Sequence, residues 1–342
     1  MTTAGRTSHP RTAAVVEPDD GPEWAAAREL LRDGTLAIRA DAPACPLVEA
    51  WLPRILVRSP APATVRAWIG VRAGRPEFAA PSGPHALDLR GVLGWVPGDG
   101  TILLHGPGGG VSASIDLPAR RAEVRVDPEV RTEEEVGLEV FAALTLASAF
   151  LLGRMERSLI HAAGIVAPDG RGWLLVGGTF SGKSTTCVNL IRAGWDYLAD
   201  DHVILGRDAA GALNVEGWPR RFNLDVGYHD GASQGVRTRV DPGAFGPGRW
   251  CPTVPLAGLL FPRVEAASST ELLEIHPAGA LGRLLQQSPW LLADGAAAPA
   301  VLALLGDAAR APAHALRLGG DTYRDPGRLA ALLREGLARH AQ

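Results

Sequence analysis

Short apolar runs separated by glycine and proline fill the chain from Leu36 to Val126. Within several of these runs apolar and polar residues alternate, as they do in a strand that buries one face. The pattern predicts a small sheet-rich region. Its clearest runs are Trp51–Val57, Val65–Val71, Thr101–Leu104 and Ala122–Val126.

Helical patterns flank this region and recur near the end of the chain. Apolar residues across 23–32 repeat at the spacing of one helix face, which predicts a first helix. A capping signal at Thr132 and an apolar face that continues to Leu151 predict a second helix. Two helices rich in alanine and leucine are predicted near Gly279–Gln287 and Arg328–His340.

Strand-like and helical segments alternate in the middle of the chain. Asp169-Gly170 is a hairpin turn signal and Gly194 is a helix stop. This alternation predicts an α/β fold, a mixed sheet around the helix that begins at Lys183, with the smaller sheet-rich domain before it. The predicted segments are the strands Leu159–Val166, Trp173–Val176, Trp195–Leu198 and His202–Leu205, and the helix Lys183–Ala193.

Length and composition are those of a globular protein with room for two domains. The chain has 342 residues, of which 46% are hydrophobic and 21% are charged. We expect a tail over 1–21, an α+β domain over 22–130 and a larger domain over 131–342. A net charge of −3 and an isoelectric point near 6.3 do not favour a nucleic-acid-binding surface.

No segment predicts export or insertion into a membrane. The first residues lack the apolar core of a signal peptide. The apolar stretch Val140–Gly153 is about fourteen residues long, short of the roughly 20 that a spanning helix needs. Cys45, Cys187 and Cys251 are too few and too scattered for a disulfide framework or a zinc site. We therefore expect a cytoplasmic protein with no membrane partner.

Lysine is almost absent from the chain. Lysine and arginine together number 34, and Lys183 is the only lysine among them. A compact ammonium can follow phosphate groups in a way that a planar guanidinium does less well. The single lysine therefore marks a position where that chemistry is required.

The segment Gly177–Ser184 satisfies the phosphate-binding pattern G-x-x-x-x-G-K-[ST] and lies between a predicted strand and a predicted helix. In such a loop, backbone N–H groups and the helix N-terminus surround the phosphates, while the lysine neutralises their charge and the hydroxyl of Ser184 takes a Mg²⁺ position. The pattern predicts binding of ATP and Mg²⁺. The predicted binding residues are Gly177, Gly178, Thr179, Phe180, Ser181, Gly182, Lys183, Ser184 and Thr185.

A pair of carboxylates follows the loop. Asp200 and Asp201 end an apolar segment that lies seventeen residues beyond Lys183. Two adjacent carboxylates at the end of a strand can divide the work of accepting a hydroxyl proton and holding Mg²⁺ or its water. The alternative for this pair is a solvated turn.

Three segments in this order resemble the catalytic domain of HPr kinase/phosphorylase: Ile160–Gly164, Gly177–Ser184 and Gly194–Val203. The likeness is closer still to the HPr-kinase-like serine kinases found with ribosomally made peptides. It is strong over Ser158–Leu205 and compatible with the family through Pro255–Phe261, where the family has a strand.

The resemblance implies an HPr-kinase-like catalytic domain over 131–342 that uses ATP and Mg²⁺. His161 matches a histidine that lies near the family's active site, although a satisfied structural histidine is the alternative. Asp200 matches the base that acts on the acceptor serine, and Asp201 matches a residue that organises Mg²⁺. The implied acceptor is a serine in a peptide or small protein, such as a ribosomal peptide precursor. The preceding domain and the loops after Gly206 would select this acceptor.

Several positions depart from the family or remain open. Phe180 stands where the family has glycine, so its side chain must point away from the phosphates. Glu216 is a candidate second Mg²⁺ ligand, but the family's glycine-rich signature is missing around it, so HPr itself is not the expected substrate. Arg220 and Arg221 could stabilise the transferring phosphoryl group. Three aromatic residues could line an acceptor cleft or pack in the interior: Trp218, Phe245 and Trp250.

Two other functions remain open at this point. The same site could phosphorylate a small metabolite, or the chain could be a nucleotide-binding regulatory module without phosphoryl transfer. Phe180 favours the second of these. A motor or transporter ATPase is disfavoured, because no separate apolar run ends in Asp-Glu and no Ser-Gly-Gly-Gln signature occurs.

Overall fold

A computed structural model describes the chain over 24–29, 36–51, 65–127, 129, 133–217, 222–224, 238–265 and 269–338. The remaining residues lie outside this description. Among the described residues, no helix is both long and apolar enough to cross a membrane.

The first half of the chain forms an eight-stranded sheet in the order β1-β2-β3-β8-β7-β6-β5-β4. The pairs β2–β3 and β3–β8 are parallel and the others are antiparallel. A short helix, α1, spans Cys45–Trp51. The strands are β1 Trp24–Glu29, β2 Leu36–Asp41, β3 Ala67–Ala73, β4 Leu87–Leu89, β5 Val92–Trp95, β6 Thr101–His105, β7 Val111–Asp116 and β8 Arg121–Val126.

The sequence prediction for this region is correct in class but wrong for one element, and a second element is largely untested. The predicted helix over 23–32 is a strand at Trp24–Glu29, paired antiparallel with β2. The helical spacing of apolar residues extends over only a few residues here. The backbone hydrogen bonds to the neighbouring strand β2 therefore decide the structure. The predicted strand at Trp51–Val57 begins on the last residue of α1, and residues 52–57 lie outside the description.

Helix α2, Glu133–Gly153, packs against this first sheet. From Val140 to Leu152 nearly every side chain is buried, so the helix is apolar on all sides. Its core cluster extends into the second half of the chain through Leu159, Ile204 and Trp290. Because residues from both halves of the chain pack against α2, this helix joins the two sheet regions. The domain boundary predicted at residue 130 stays a prediction.

The second half of the chain forms another mixed sheet, in the order β10-β9-β12-β13-β16-β18-β17, with β11 paired to β9. Strands β14 and β15 pair with each other in a separate two-stranded sheet. The strands are β9 Ser158–Val166, β10 Gly172–Val176, β11 Asp196–Ala199, β12 His202–Arg207, β13 Leu213–Gly217, β14 Phe222–Leu224, β15 Thr238–Val240, β16 Thr253–Val264, β17 Glu271–Glu274 and β18 Ala313–Leu318.

Strand β10 has a central place, because it pairs antiparallel with β9 and parallel with β16 through the same residues. Two groups of helices cover this sheet, and each shares a separate hydrophobic cluster with it: α3 and α7 in one, α4 and α5 in the other. The helices are α3 Lys183–Arg192, α4 Pro277–Gln286, α5 Ala298–Ala309, α6 Gly320–Arg324 and α7 Pro326–Ala338. The predicted class, a mixed sheet around the helix that begins at Lys183 with a sheet-rich region before it, is confirmed.

Candidate active site

The loop Gly177–Gly182 connects the end of β10 to the first residue of α3, as the sequence predicts. Gly182 caps the helix with a φ of 99°, in the left-handed region that favours glycine. A Cβ atom at Gly182 would lie 2.7 Å from Leu318 Cδ1, so a side chain there would also collide with β18. Both constraints fix the chain direction at the point where the helix begins.

Lys183 is the first residue of α3, and only 6% of it is exposed. Its Nζ donates hydrogen bonds to the carbonyl oxygens of Gly177, at 2.5 Å, and Gly178, at 2.9 Å. It also lies 3.2 Å from Nε2 of His161, which must accept because an ammonium can only donate. Two loop carbonyls and a histidine of β9 thus hold the charged amine in the interior.

Ser181 contributes a hydroxyl to the interior of the same loop. Its Oγ is buried and has no hydrogen-bond partner among the described residues. A Cβ atom at Gly177 would lie 2.7 Å from this oxygen, so a side chain there would force the hydroxyl to move. An unsatisfied buried hydroxyl costs free energy unless a ligand completes it, and a phosphate oxygen could do so. Ser184 and Thr185 are half-buried on the first turn of α3.

Phe180 lies at the tip of the loop. Its φ is +64°, and 80% of it is exposed. The expectation that its side chain is directed outward therefore agrees with the structure. Glycine would adopt this backbone conformation more readily than phenylalanine does, since a Cβ atom is disfavoured in the left-handed region.

His161 and His202 occupy directly paired positions on the antiparallel strands β9 and β12. Their rings are 5.4 Å apart in an edge-to-face arrangement. Asp201 lies between them: its Oδ1 is 3.5 Å from Nδ1 of His161, and its Oδ2 is 2.9 Å from Nδ1 of His202. These contacts form a continuous polar path from Lys183 through His161 and Asp201 to His202.

The acidic pair occupies the short turn between β11 and β12, as predicted. Asp200 is only 2% exposed, and its Oδ2 accepts a hydrogen bond of 3.2 Å from the backbone N–H of Asn223. The negative charge of Asp200 also affects the thiol of Cys187, which lies one helical turn beyond Lys183. Burial, and then the negative charge of Asp200, raise the pKa of Cys187 well above its usual range. The solvated-turn alternative is therefore wrong for Asp200.

Two glycines make room for the chain that leads into this turn. A Cβ atom at Gly217 would lie 2.4 Å from the carbonyl oxygen of Leu198, and one at Gly164 would lie 2.8 Å from Leu198 Cβ. Trp250 then donates from Nε1 to that same carbonyl, at 3.1 Å. Leu198 is thus held from three sides, two residues before Asp200.

Other residues predicted for the site have different surroundings. Glu216 lies on β13, and its carboxylate is 3.1 Å from Nη1 of Arg157, so its role as a metal ligand stays a prediction. Phe245 and Trp250 are partly buried against the cluster under α3, in agreement with the packing alternative. The remaining predicted residues lie outside the described part of the chain: Trp218, Arg220 and Arg221.

His202 and Asn223 were not predicted as members of the site. His202 follows the acidic pair directly in sequence, but only the register of β9 against β12 brings it beside His161. Asn223 contributes a backbone N–H, which no side-chain pattern could indicate.

Comparison with known proteins gives limited help. No protein-family model and no curated protein matches the sequence. Among solved structures, the chain is similar to the Hpr(Ser) kinase/phosphatase from Coxiella burnetii, with 13% sequence identity and a TM-score of 0.32, over 54% of this chain and 99% of that one. A likeness of this size supports no inference about function.

Proposed function

We propose that this protein is a phosphotransferase that uses ATP and Mg²⁺ to phosphorylate a hydroxyl group, with a serine of a peptide or small protein as the acceptor. One observation supports this proposal most directly. The amine of Lys183, the only lysine, lies 3.2 Å from His161, which in turn lies 3.5 Å from Asp201. The loop that carries Lys183 and the acidic pair are separate in sequence but are linked through His161, as a phosphate-binding loop and its metal-organising carboxylate would be.

The nucleotide would bind at the loop. The backbone N–H groups of Gly177–Gly182 and the N-terminus of α3 would surround its phosphates. Lys183 would exchange its bonds to the loop carbonyls for bonds to the β- and γ-phosphates. Ser181 is suited to donate its hydroxyl to a phosphate oxygen, because that hydroxyl is buried without a partner in the described structure.

Ser184 and Asp201 are the proposed Mg²⁺ ligands. A hydroxyl and a carboxylate are the oxygen donors that this ion prefers, and Mg²⁺ usually keeps several waters beside one or two carboxylates and the substrate phosphates. When bound, Mg²⁺ would neutralise charge on the phosphates. Glu216 is engaged with Arg157 and would have to leave that ion pair to contribute.

Asp200 is the proposed base for the transfer step. The acceptor hydroxyl oxygen attacks the terminal phosphorus, its proton passes to a carboxylate oxygen of Asp200, and the bond between that phosphorus and the bridging oxygen breaks to release ADP. The N–H of Asn223 would hold the carboxylate in place. Lys183 offsets the charge that collects on the leaving ADP, and Arg220 is a candidate for the same task on the transferring group.

A serine acceptor, a ribosomal peptide precursor as its source and a cytoplasmic location are the finer parts of the proposal. The serine acceptor and the peptide precursor come from the resemblance of Ser158–Leu205 to HPr-kinase-like serine kinases, whereas the cytoplasmic location comes from the few, scattered cysteines and the short apolar stretches of the sequence. Phosphorylation of a small metabolite uses the same steps and differs only in the acceptor.

A regulatory nucleotide-binding module is the second candidate. Two observations favour it. Phe180 occupies a left-handed backbone position at the tip of the loop, and the amine of Lys183 is already bonded to two loop carbonyls. Such a loop could bind a nucleotide weakly and leave it uncleaved.

The test is the intact mass of acceptor peptides after incubation with the protein, ATP and Mg²⁺. We expect a gain of one phosphate that is lost in Asp200→Asn while nucleotide binding remains. The matched control is Asp208→Asn, which changes another aspartate at a strand end, at the exposed turn after β12. Nucleotide binding without transfer to any peptide or metabolite would instead identify the regulatory module.

A further inference from the structure

We propose that His161, Asp201 and His202 form a binding site for a borderline divalent cation such as Zn²⁺, which shares Asp201 with the proposed Mg²⁺ position but differs from it in having two imidazole ligands. Each residue offers one ligand atom, and the three atoms all lie within 4.8 Å of one another. The proposal concerns metal binding by the free protein and does not depend on phosphoryl transfer.

The backbone fixes this group before any metal arrives. His161 and His202 face each other across a regular antiparallel ladder, and Asp201 directly precedes His202. The His202 side chain is only 6% exposed, and its ring also packs edge-on against Phe141 of α2, with ring centroids 5.8 Å apart. Little side-chain freedom is therefore left to lose when a metal binds.

The distances suit a small cation. In a tetrahedral zinc site with bonds of roughly 2.0–2.2 Å, neighbouring ligand atoms are about 3.3 Å apart. Oδ1 of Asp201 lies 3.5 Å from Nδ1 of His161, and Oδ2 lies 2.9 Å from Nδ1 of His202. All three ligand atoms lie within 4.8 Å of one another, so side-chain shifts of up to about 1.5 Å would bring them to coordination distance.

The donor set decides which cation is preferred. Two imidazoles and one carboxylate favour Zn²⁺ and its neighbours among the transition metals, whereas Mg²⁺ favours oxygen ligands only. Three protein ligands also leave a fourth position open to water or another ligand. Mg²⁺ in excess should therefore displace a transition metal poorly.

The ammonium of Lys183 disfavours metal binding at this site. If His161 binds a metal through Nδ1, the proton of its neutral ring is on Nε2, and Nε2 can no longer accept from the ammonium 3.2 Å away. Metal binding must therefore break the contact between His161 and Lys183. Removing the amine should tighten metal binding by about tenfold, since a hydrogen bond to a charged group contributes on that order.

The experiment is titration of the metal-free protein with Zn²⁺ by calorimetry, and with Co²⁺ followed by its visible absorption, both in excess Mg²⁺. We expect one equivalent to bind, with the Co²⁺ spectrum of a low-coordinate nitrogen and oxygen site. His202→Gln and Asp201→Asn should each weaken binding by at least the roughly 10- to 100-fold that loss of an outer-shell partner costs a metal site. Lys183→Met should tighten it.

The matched control is His314→Gln, which changes another buried histidine on β18, beside Trp173 and outside the group. It should bind metal like the wild type. Thermal unfolding without metal shows which variants are folded, and Asp201→Asn decides the matter if His202→Gln does not fold. Absence of stoichiometric binding to the wild type, or unchanged binding in a folded His202→Gln or Asp201→Asn variant, would overturn the proposal.

Discussion

Phe180 at the tip of the loop and Lys183 at the start of α3 are three residues apart in sequence and have opposite surroundings. Phe180 is exposed at a positive φ, whereas Lys183 is buried with its amine bonded to two carbonyls and a histidine. Burial of an ammonium is tolerated when its donors are satisfied. A bound nucleotide must replace these contacts, so its affinity reflects the difference between phosphate and carbonyl partners.

The backbone conformation at Phe180 gives a prediction that separates the ring from its Cβ atom. Phe180→Gly and Phe180→Ala both remove the ring, but only alanine keeps a Cβ at a φ of +64°. We expect the glycine variant to be more stable than the alanine variant by about 1 kcal/mol, because the left-handed conformation costs an L-residue about that amount. Urea unfolding measures the difference, and an alanine variant of equal or greater stability would show that the position is not strained.

The turn between β11 and β12 carries both aspartates, and its position depends on glycines in neighbouring strands. We expect Gly217→Ala to lower the free energy of unfolding by about 2 kcal/mol, because its methyl group would overlap a backbone carbonyl that cannot move without Leu198. The same displacement should reduce phosphoryl transfer, as it moves Asp200.

Gly282→Ala is the matched control for this substitution. Gly282 lies within α4, and nothing lies within 4 Å of the position that its Cβ would occupy. This variant should be more stable than the wild type by about 0.5–1 kcal/mol, the difference in helix propensity. Equal effects of the two substitutions in chemical denaturation would contradict the steric account of Gly217.

The packing of α6 and α7 beside α3 gives a prediction about pH. Burial would raise the pKa of Asp321, but hydrogen bonds from Thr270 and Thr322 and the charge of Arg328 outweigh it and lower the pKa below its ordinary value. A carboxylate with a lowered pKa in the folded state contributes stability above its unfolded pKa and loses it as the pH falls through the folded value. We expect Asp321→Asn to lower the unfolding temperature at neutral pH. The difference from the wild type should vanish once the pH is below the folded-state pKa of Asp321, where the carboxyl group is protonated. A difference in unfolding temperature that persists at such a pH would show that the charge of Asp321 does not cause it.

Elements with a strong local signal were predictable from the sequence, and those set by distant partners were not. The strand before the loop, the helix after it and the turn at Asp200-Asp201 carry glycine, apolar or acidic signals within a few residues. Strand β1 carried a helical spacing and was set instead by pairing with β2. Likewise, the contact between His161 and His202 depends on strand register, which short patterns specify weakly.

At the scale of the whole molecule, α2 connects the two sheet regions. Its buried side chains share a core with the first sheet, and Phe141 also contacts His202 in the second half of the chain. The sequence predicted the helix but could not show which sheet covers it, because its side chains are apolar on every face.

This arrangement predicts that residues 131–342 do not fold as an independent unit. Without the first sheet, the side chains of Val140, Leu144 and Leu151 among others would lose the partners that bury them. We expect this fragment to aggregate or to lack a cooperative thermal transition, whereas removal of the predicted tail, 1–21, should leave the unfolding temperature unchanged. A cooperative, monomeric fragment would instead support two independent domains.

The single lysine allows the central claim to be tested in one measurement. An acyl phosphate derivative of ATP transfers its acyl group to an amine that lies beside the bound polyphosphate, and peptide mass mapping then identifies the modified residue. We expect one lysine adduct, on Lys183, that excess ATP and Mg²⁺ prevent. An unmodified Lys183, or an adduct that ATP does not prevent, would contradict nucleotide binding at this loop.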